Sequence, residues 1–179
     1  MVAGPVSVHR LIDLIYTMNI EVYTYSDSYK QQIIDLILDI QRNEFGVPIT
    51  LEAQPDLKSI PSFYQKDNGN FWVAIIENEI VGTIALLDIG NSRGALRKMF
   101  VHKDFRGKEY GVGQALLNTL LEWAKQKKIK EIVLGTTEKF IAAQRFYEKN
   151  GFEEVKKQSL PNEFPVMEVD VKFYRFIMP

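Results

Sequence analysis

Two apolar runs, "NFWVAIIE" (70–77) and "EIVGTIALLDI" (79–89), stand back to back with only a turn near Asn78 between them. Runs of that length separated by a tight turn read as a pair of strands. Neither alternates apolar with polar residues, so both faces of the pair must be covered by other parts of the chain. A fold built on them is a sheet with helices on each side.

The rest of the sequence supplies the cover. "IEVYTYS" (20–26) alternates as a strand does, and "SYKQQIIDLILDIQRNEF" repeats Ile33, Ile37, Ile40 and Ile34, Leu38 at helical spacing up to Gly46. "DLKSIPSFYQ" reads as one short, broken helix. "ALRKMFVH" alternates Leu96, Lys98, Phe100 against Arg97, Met99, Val101 and predicts a further strand. A helix over "GVGQALLNTLLEWAKQKK", a strand at 131–136, a helix over "FIAAQRFYEKNGF" and two last strands near 152–157 and 166–178 complete the chain. This order predicts a single α/β domain: a mixed, mostly antiparallel, twisted sheet of about seven strands flanked by about four helices.

The chain's 179 residues, 46% of them apolar, fit one domain. Twenty-two Lys and Arg stand against 23 Asp and Glu, a net charge of -1, so no overall field holds a nucleic acid. There is no cysteine, and His9 and His102 are the only histidines, which excludes disulfides, thiolate chemistry and Cys- or His-based metal sites. No apolar run is long enough to span a membrane. Cytoplasmic residence is compatible with these features, and a homodimer stays open. Residues 1–17 show no secretory pattern; they form either a short amphipathic helix or an upstream extension to a domain over 18–179.

The functional signal lies in "RGKEYGVGQALL" (106–117). Gly111 and Gly113 at a helix start leave first-turn amides uncovered, the helix dipole adds about half a positive charge, and Arg106 and Lys108 stand just before. This suits a pyrophosphate. No Gly-Lys-Ser or Gly-Lys-Thr occurs, so it is not a P-loop, and Leu116 occupies the third glycine position of a dinucleotide fingerprint.

From "LRKMFV" through this loop to "RFYEKNGF" the sequence resembles the GNAT superfamily of N-acetyltransferases, over about residues 20–178. Lys108 takes the Arg/Gln position of the family's Arg/Gln-x-x-Gly-x-Gly/Ala loop and Gly111 and Gly113 its glycines, while Arg106-Gly107 falls two residues earlier than the family's Arg-Gly. The resemblance implies acetyl-CoA as acyl donor and a primary amine, of a small molecule or peptide, as acceptor. Backbone groups of Met99 and Val101 would hold the pantetheine arm. Arg106, Gly107, Lys108, Glu109, Tyr110, Gly111, Val112, Gly113 and Gln114 would surround the pyrophosphate, with Phe146 beside them. An amide of Met99 or Phe100 would polarise the thioester carbonyl.

The same resemblance makes Tyr147 the general acid, since a phenol near 10 and a thiol near 8.5 lie close enough for a proton to pass as the C–S bond breaks. Its plain alternative is an aromatic packed at a helix end. Ala95 stands where many members carry a Glu, which leaves the base unassigned among Glu44, Glu163 and Glu168. That gap sustains a rival reading, a CoA-binding sensor or interaction module without turnover. Phe140 replaces a frequent Asn. Phe45, Phe63, Tyr64 and Phe164 are candidates for the acceptor pocket; Trp72 and Trp123 read as core, His102 as a surface turn residue, and "KQKKIK" as a solvated helix end.

Overall fold

A computed structural model describes residues 19–179, so the expected extension at 1–17 and its boundary at Met18 lie outside the described residues. The strands are β1 (Glu21–Thr24), β2 (Asn70–Ile76), β3 (Glu79–Gly90), β4 (Arg93–Val101), β5 (Glu131–Thr136), β6 (Glu153–Val155) and β7 (Lys172–Ile177). The α-helices are α1 (Lys30–Leu38, extended by a wider π turn over Asp39–Glu44), α2 (Pro55–Lys58), α3 (Ile60–Tyr64), α4 (Val112–Gln126) and α5 (Ile141–Lys149). The sheet runs β1-β2-β3-β4-β5-β7-β6. Every pairing is antiparallel except β4 with β5.

This is the mixed seven-stranded sheet that the sequence predicts, with five α-helices among the described residues rather than about four. The extra one comes from "DLKSIPSFYQ", which divides at Ser59 into α2 and α3. Proline lacks an amide hydrogen, so Pro55 and Pro61 are accommodated in the first turns of two short helices instead of inside one. The last strands are shorter than expected, because 156–171 is mostly loop. Two tight turns form as their residues allow: Glu77 and Asn78 have φ of 48 and 67°, and Asn91 and Ser92 of 53 and 58°. Paired left-handed residues give the turn whose twist matches the strands they join.

Both faces of the β2–β3 hairpin are covered, and every residue of β2 is buried. On one face the α4 stripe Leu116, Leu117, Leu120 and Ala124 packs with Ile84, Leu86, Leu96 and Leu134. On the other, Ile33, Ile34 and Ile37 of α1 and Tyr64 of α3 pack with Phe71, Val73 and Ala85. Fully burying an aliphatic side chain contributes about 1.5–3 kcal/mol, so these two stripes clamp the sheet between helices.

The alternation expected along β4 is not what forms. Lys98 has a φ of 51°, and the pairing with β3 slips between Thr83 and Ala85, so β4 carries a bulge. The Thr83 hydroxyl donates to the Lys98 carbonyl at 2.7 Å and fixes it. The extra residue resets the parity of the strand. Leu96, Met99 and Val101 pack on the α4 side, whereas Phe100 packs on the α1 side. Arg97 and Lys98 are brought to that same α1 side, Arg97 over the Phe63 ring and Lys98 against Gln54 and Asp56.

Candidate active site

β4 and β5 pair over only three residues each, Arg93–Ala95 with Glu131–Val133. At that end Glu131 accepts from Arg93 Nε at 2.8 Å, and Arg175 Nε lies 2.6 Å from its other oxygen without hydrogen-bond geometry. Beyond it the strands part. A cleft of about 750 Å³ opens there, lined by Leu96–Val101 of β4, Gly135 and Thr136 of β5, the loop before α4, one face of α5 and the loop between β6 and β7. The parted strands give the cleft a V shape.

The His102 amide bonds to the Val81 carbonyl at 2.8 Å. Peptide groups alternate in direction along an antiparallel strand, so Phe100 also turns its amide and carbonyl to β3, while those of Met99 and Val101 face the opening. Met99 thus remains a candidate to polarise a carbonyl there, and Phe100 contributes its ring instead. The Val101 carbonyl accepts from Arg106 Nε at 2.8 Å, which leaves its amide.

At the start of α4, Gly111 is the N-cap residue with φ 67°, and no side chain among the described residues caps the helix. Ala115 donates to the Gly111 carbonyl at 2.9 Å and Gly111 to the Gly107 carbonyl at 3.2 Å. The amides of Val112, Gly113 and Gln114 therefore have no acceptor within the helix. A Cβ at Gly111 would meet nothing within 4 Å, so the space over the amides is open. Gly113 is flanked by Met99 and Phe146. Lys108, Arg145 and Lys149 also line the cleft. These residues fit an anionic cofactor arm.

Arg106 lines the cleft and is also tied to α1. Its guanidinium forms a two-pronged pair with Glu44, one arm at 2.9 Å, and sits 5.7 Å from the Phe45 ring centre. It braces the loop to the end of α1. Of the loop's other residues, Gly107, Lys108, Gly111, Gly113 and Gln114 line the cleft. Glu109 lies against Gly107, Tyr110 packs on Phe105, and the Val112 side chain is buried under the helix, so only their main chains are available.

Tyr147, on α5, lines the cleft and is 5% exposed, in contact with Phe146, Phe152 and Tyr174. Burial pushes its hydroxyl pKa up, with no neighbouring charge contributing. The phenol stays protonated at neutral pH, able to donate a hydrogen bond to a developing anion.

Behind β4 lies a buried polar cluster. Asp56 accepts from Tyr64 at 2.5 Å and faces Lys98 Nζ at 3.2 Å and Arg97 at 3.8 Å. Burial alone would raise Asp56, but Lys98 and Arg97 outweigh it and hold it below the ordinary carboxylate value. Burial lowers Lys98 to about 8 against the pull of Asp56. Lys98 also donates to Gln54 Oε1 at 2.6 Å, and Gln54 and Gln41 pair with each other.

Of the expected acceptor-pocket aromatics, Phe45 and Phe164 line the cleft, joined by Phe100 and Phe140. Phe140 stacks edge-on against both Phe45 and Phe100. Phe63 lies under Arg97, and Tyr64 is fully buried on Asp56. Of the suggested bases, Glu44 is paired with Arg106 and Glu163 accepts from Asn91 at the surface. Ala95 belongs to the closed end, packed with Val133, Phe164 and Phe173.

Asp170 was not anticipated. It is the carboxylate lining the cleft among the described residues. It accepts the Met167 amide at 2.9 Å and is raised by burial against the effect of that bond and of Arg97. Its place depends on Gly135: a Cβ there would come within 2.4 Å of the carboxylate. A lone glycine inside a strand signals such an approach, and "EIVLGT" contains one.

Residues 34–152 match the family model of the acetyltransferase (GNAT) family, and the chain belongs to that family. A GNAT-family acetyltransferase from Staphylococcus aureus Mu50 superposes with a TM-score of 0.87 at 42% identity, covering 90% of this chain and 100% of that one. The PaiA N-acetyltransferase of Thermoplasma acidophilum, solved in complex with coenzyme A, shares the fold with a TM-score of 0.69 at 17% identity, over 89% and 99% of the two chains. Among curated proteins, the N-acetylaspartate synthetase of Xenopus tropicalis is 40% identical over 104 residues, 56% of this chain and 37% of that protein. The chain thus spans about a third of the length of that relative.

Proposed function

We propose that the protein is an acetyl-CoA-dependent N-acetyltransferase acting on a primary amine. The observation that carries this is the cleft itself: the start of α4, whose first-turn amides have no acceptor in the helix, Met99 and Val101 of the unpaired half of β4, and Tyr147 all border one space. Family membership, and relatives named N-acetylaspartate synthetase and N-acetyltransferase, support it.

When bound, acetyl-CoA supplies an acetyl thioester. Val112, Gly113 and Gln114 amides with Lys108 hold its pyrophosphate, and the Met99 carbonyl and Val101 amide hold its pantetheine arm. The Met99 amide stabilises the carbonyl oxygen as the amine nitrogen adds to the carbonyl carbon, a contribution of about 3 kcal/mol for one well-placed donor. The amine attacks in its neutral form, its ammonium proton having gone to solvent, and gives Asp170 the proton released on C–N bond formation; the C–N bond is kept, and the C–S bond breaks with its electron pair on sulfur. Tyr147 hydrogen-bonds to that sulfur and passes it a proton. The proton on Asp170 returns to Tyr147 through solvent, which closes the cycle. The raised phenol pKa makes Tyr147 a weaker acid than the thiol, so it holds the departing sulfur by a hydrogen bond and passes its proton only as sulfur takes on the full thiolate charge.

The test follows thiol release from acetyl-CoA in the presence of a panel of primary amines. Amine-dependent release at one thiol per N-acetyl product is the expected result. Tight acetyl-CoA binding with no release for any amine would favour the sensor reading.

A further inference from the structure

The α1-side wall of the cleft holds a cation with unfilled donors. Arg97 lines the cleft, its side chain is only 12% exposed, and its one hydrogen-bond partner among the described residues is the Met167 sulfur, at 3.3 Å. A thioether is a weak acceptor, whereas a guanidinium carries five N–H donors in a fork that matches a carboxylate. Asp56 does not fill that fork. It lies 3.8 Å away and is already committed to Tyr64 and Lys98.

Placing two successive residues of one strand on the same face is the work of the bulge at Lys98. Without it Lys98 would turn to the α4 side, and one cation would remain here. With it, Arg97 and Lys98 share a wall with Asp56, and Asp170 stands in the same cleft near Met167. Two cations and two carboxylates balance, which suits a ligand that is itself a zwitterion. Phe45, Phe100, Phe140 and Phe164 line the same cleft, and low surrounding polarity strengthens a charge-assisted hydrogen bond.

We propose that the acceptor is a free amino acid whose carboxylate is bound by Arg97, with Lys98 adding positive charge beside it and Asp170 receiving the amine. This rests on the acetyl-transfer reading. It excludes as good substrates amines without a nearby carboxylate, including polyamines and internal peptide lysines.

The experiment compares the twenty L-amino acids with their carboxamides as acceptors, in wild-type protein and Arg97→Gln, reading both thiol release and acetyl-CoA affinity. At least one acid should exceed its amide by about 100-fold in kcat/KM, the range of one charge-assisted hydrogen bond with its unpaired partner. Arg97→Gln should lose about that factor on the acid, chiefly through KM, and keep its acetyl-CoA affinity. Arg97→Lys should recover part of it. That retained affinity shows the variant to be folded; should Gln not fold, the Lys variant carries the comparison. Amides turned over as fast as acids, or turnover confined to amines lacking a carboxylate, would overturn the carboxylate site while leaving acetyl transfer intact. Absence of acetyl-CoA binding in the wild type would overturn the transfer reading instead.

Discussion

One strand, β4, has two different ends. From Arg93 to Ala95 it pairs with β5, Arg93 is held by Glu131, and Ala95 is wholly buried among Val133, Phe164 and Phe173. From Leu96 to Val101 it has no strand partner on that side among the described residues, carries a bulge, and lines the cleft. The first half behaves as core and holds the sheet together. The second half exposes peptide groups to a ligand and places charges at it, which a fully paired strand cannot do. Ala95, at the position where the resemblance would place a Glu, lies in the closed half. A carboxylate there would enter an apolar cluster.

This contrast predicts separable effects. Gly111→Asp, at the open end, puts a side chain into space that no other part of the described chain fills and brings negative charge over the helix amides. Acetyl-CoA affinity should fall by about 10³-fold or more, read by calorimetry, and the strained φ adds about 1 kcal/mol of destabilisation. Tyr147→Phe should lower kcat by about 10²-fold at nearly unchanged acetyl-CoA affinity. Equal kcat would return Tyr147 to the core as a packing residue.

Asp170→Asn should cost about tenfold or more in kcat, yet melt at a higher temperature at pH 7. The sign follows from the raised pKa of Asp170. Between its unfolded and folded values the folded protein holds more protons, so stability falls as pH rises through that window, and the full penalty persists above it. Asn does not ionise and escapes that penalty; an unchanged or lower melting temperature at pH 7 would show that Asp170 is not strained by ionisation. The smallest effect belongs to the closed end. Glu131→Gln weakens contacts to Arg93 and Arg175, both about a third exposed, and should reduce stability by about 1 kcal/mol without altering acetyl-CoA affinity. A loss of affinity equal to that of Gly111→Asp would mean the two ends are not independent.

Periodicity carried most of the architecture. The continuous apolar runs of β2 and β3 announced two covered faces, and the α1 and α4 stripes announced what covers them. The glycine loop was readable because Gly111 and Gly113 interrupt a helical pattern at its start. The parity of β4 was not readable, since a lysine at positive φ leaves no mark in sequence and alternation was the natural expectation. Asp56 resembled any acidic residue in a first helical turn; its burial arises from α3 and β4 closing over it. Asp170 sits in a loop whose return to Gly135 is a property of the fold.

The most direct test of the open end as the cofactor site is a titration of uniformly ¹⁵N-labelled protein with acetyl-CoA, followed by amide chemical shifts. Saturable changes centred on Met99, Val101 and Gly111 to Gln114, with Arg93 to Ala95 and Glu131 to Val133 left nearly still, are what the structure predicts. Saturable changes centred elsewhere, or none at millimolar ligand, would contradict it.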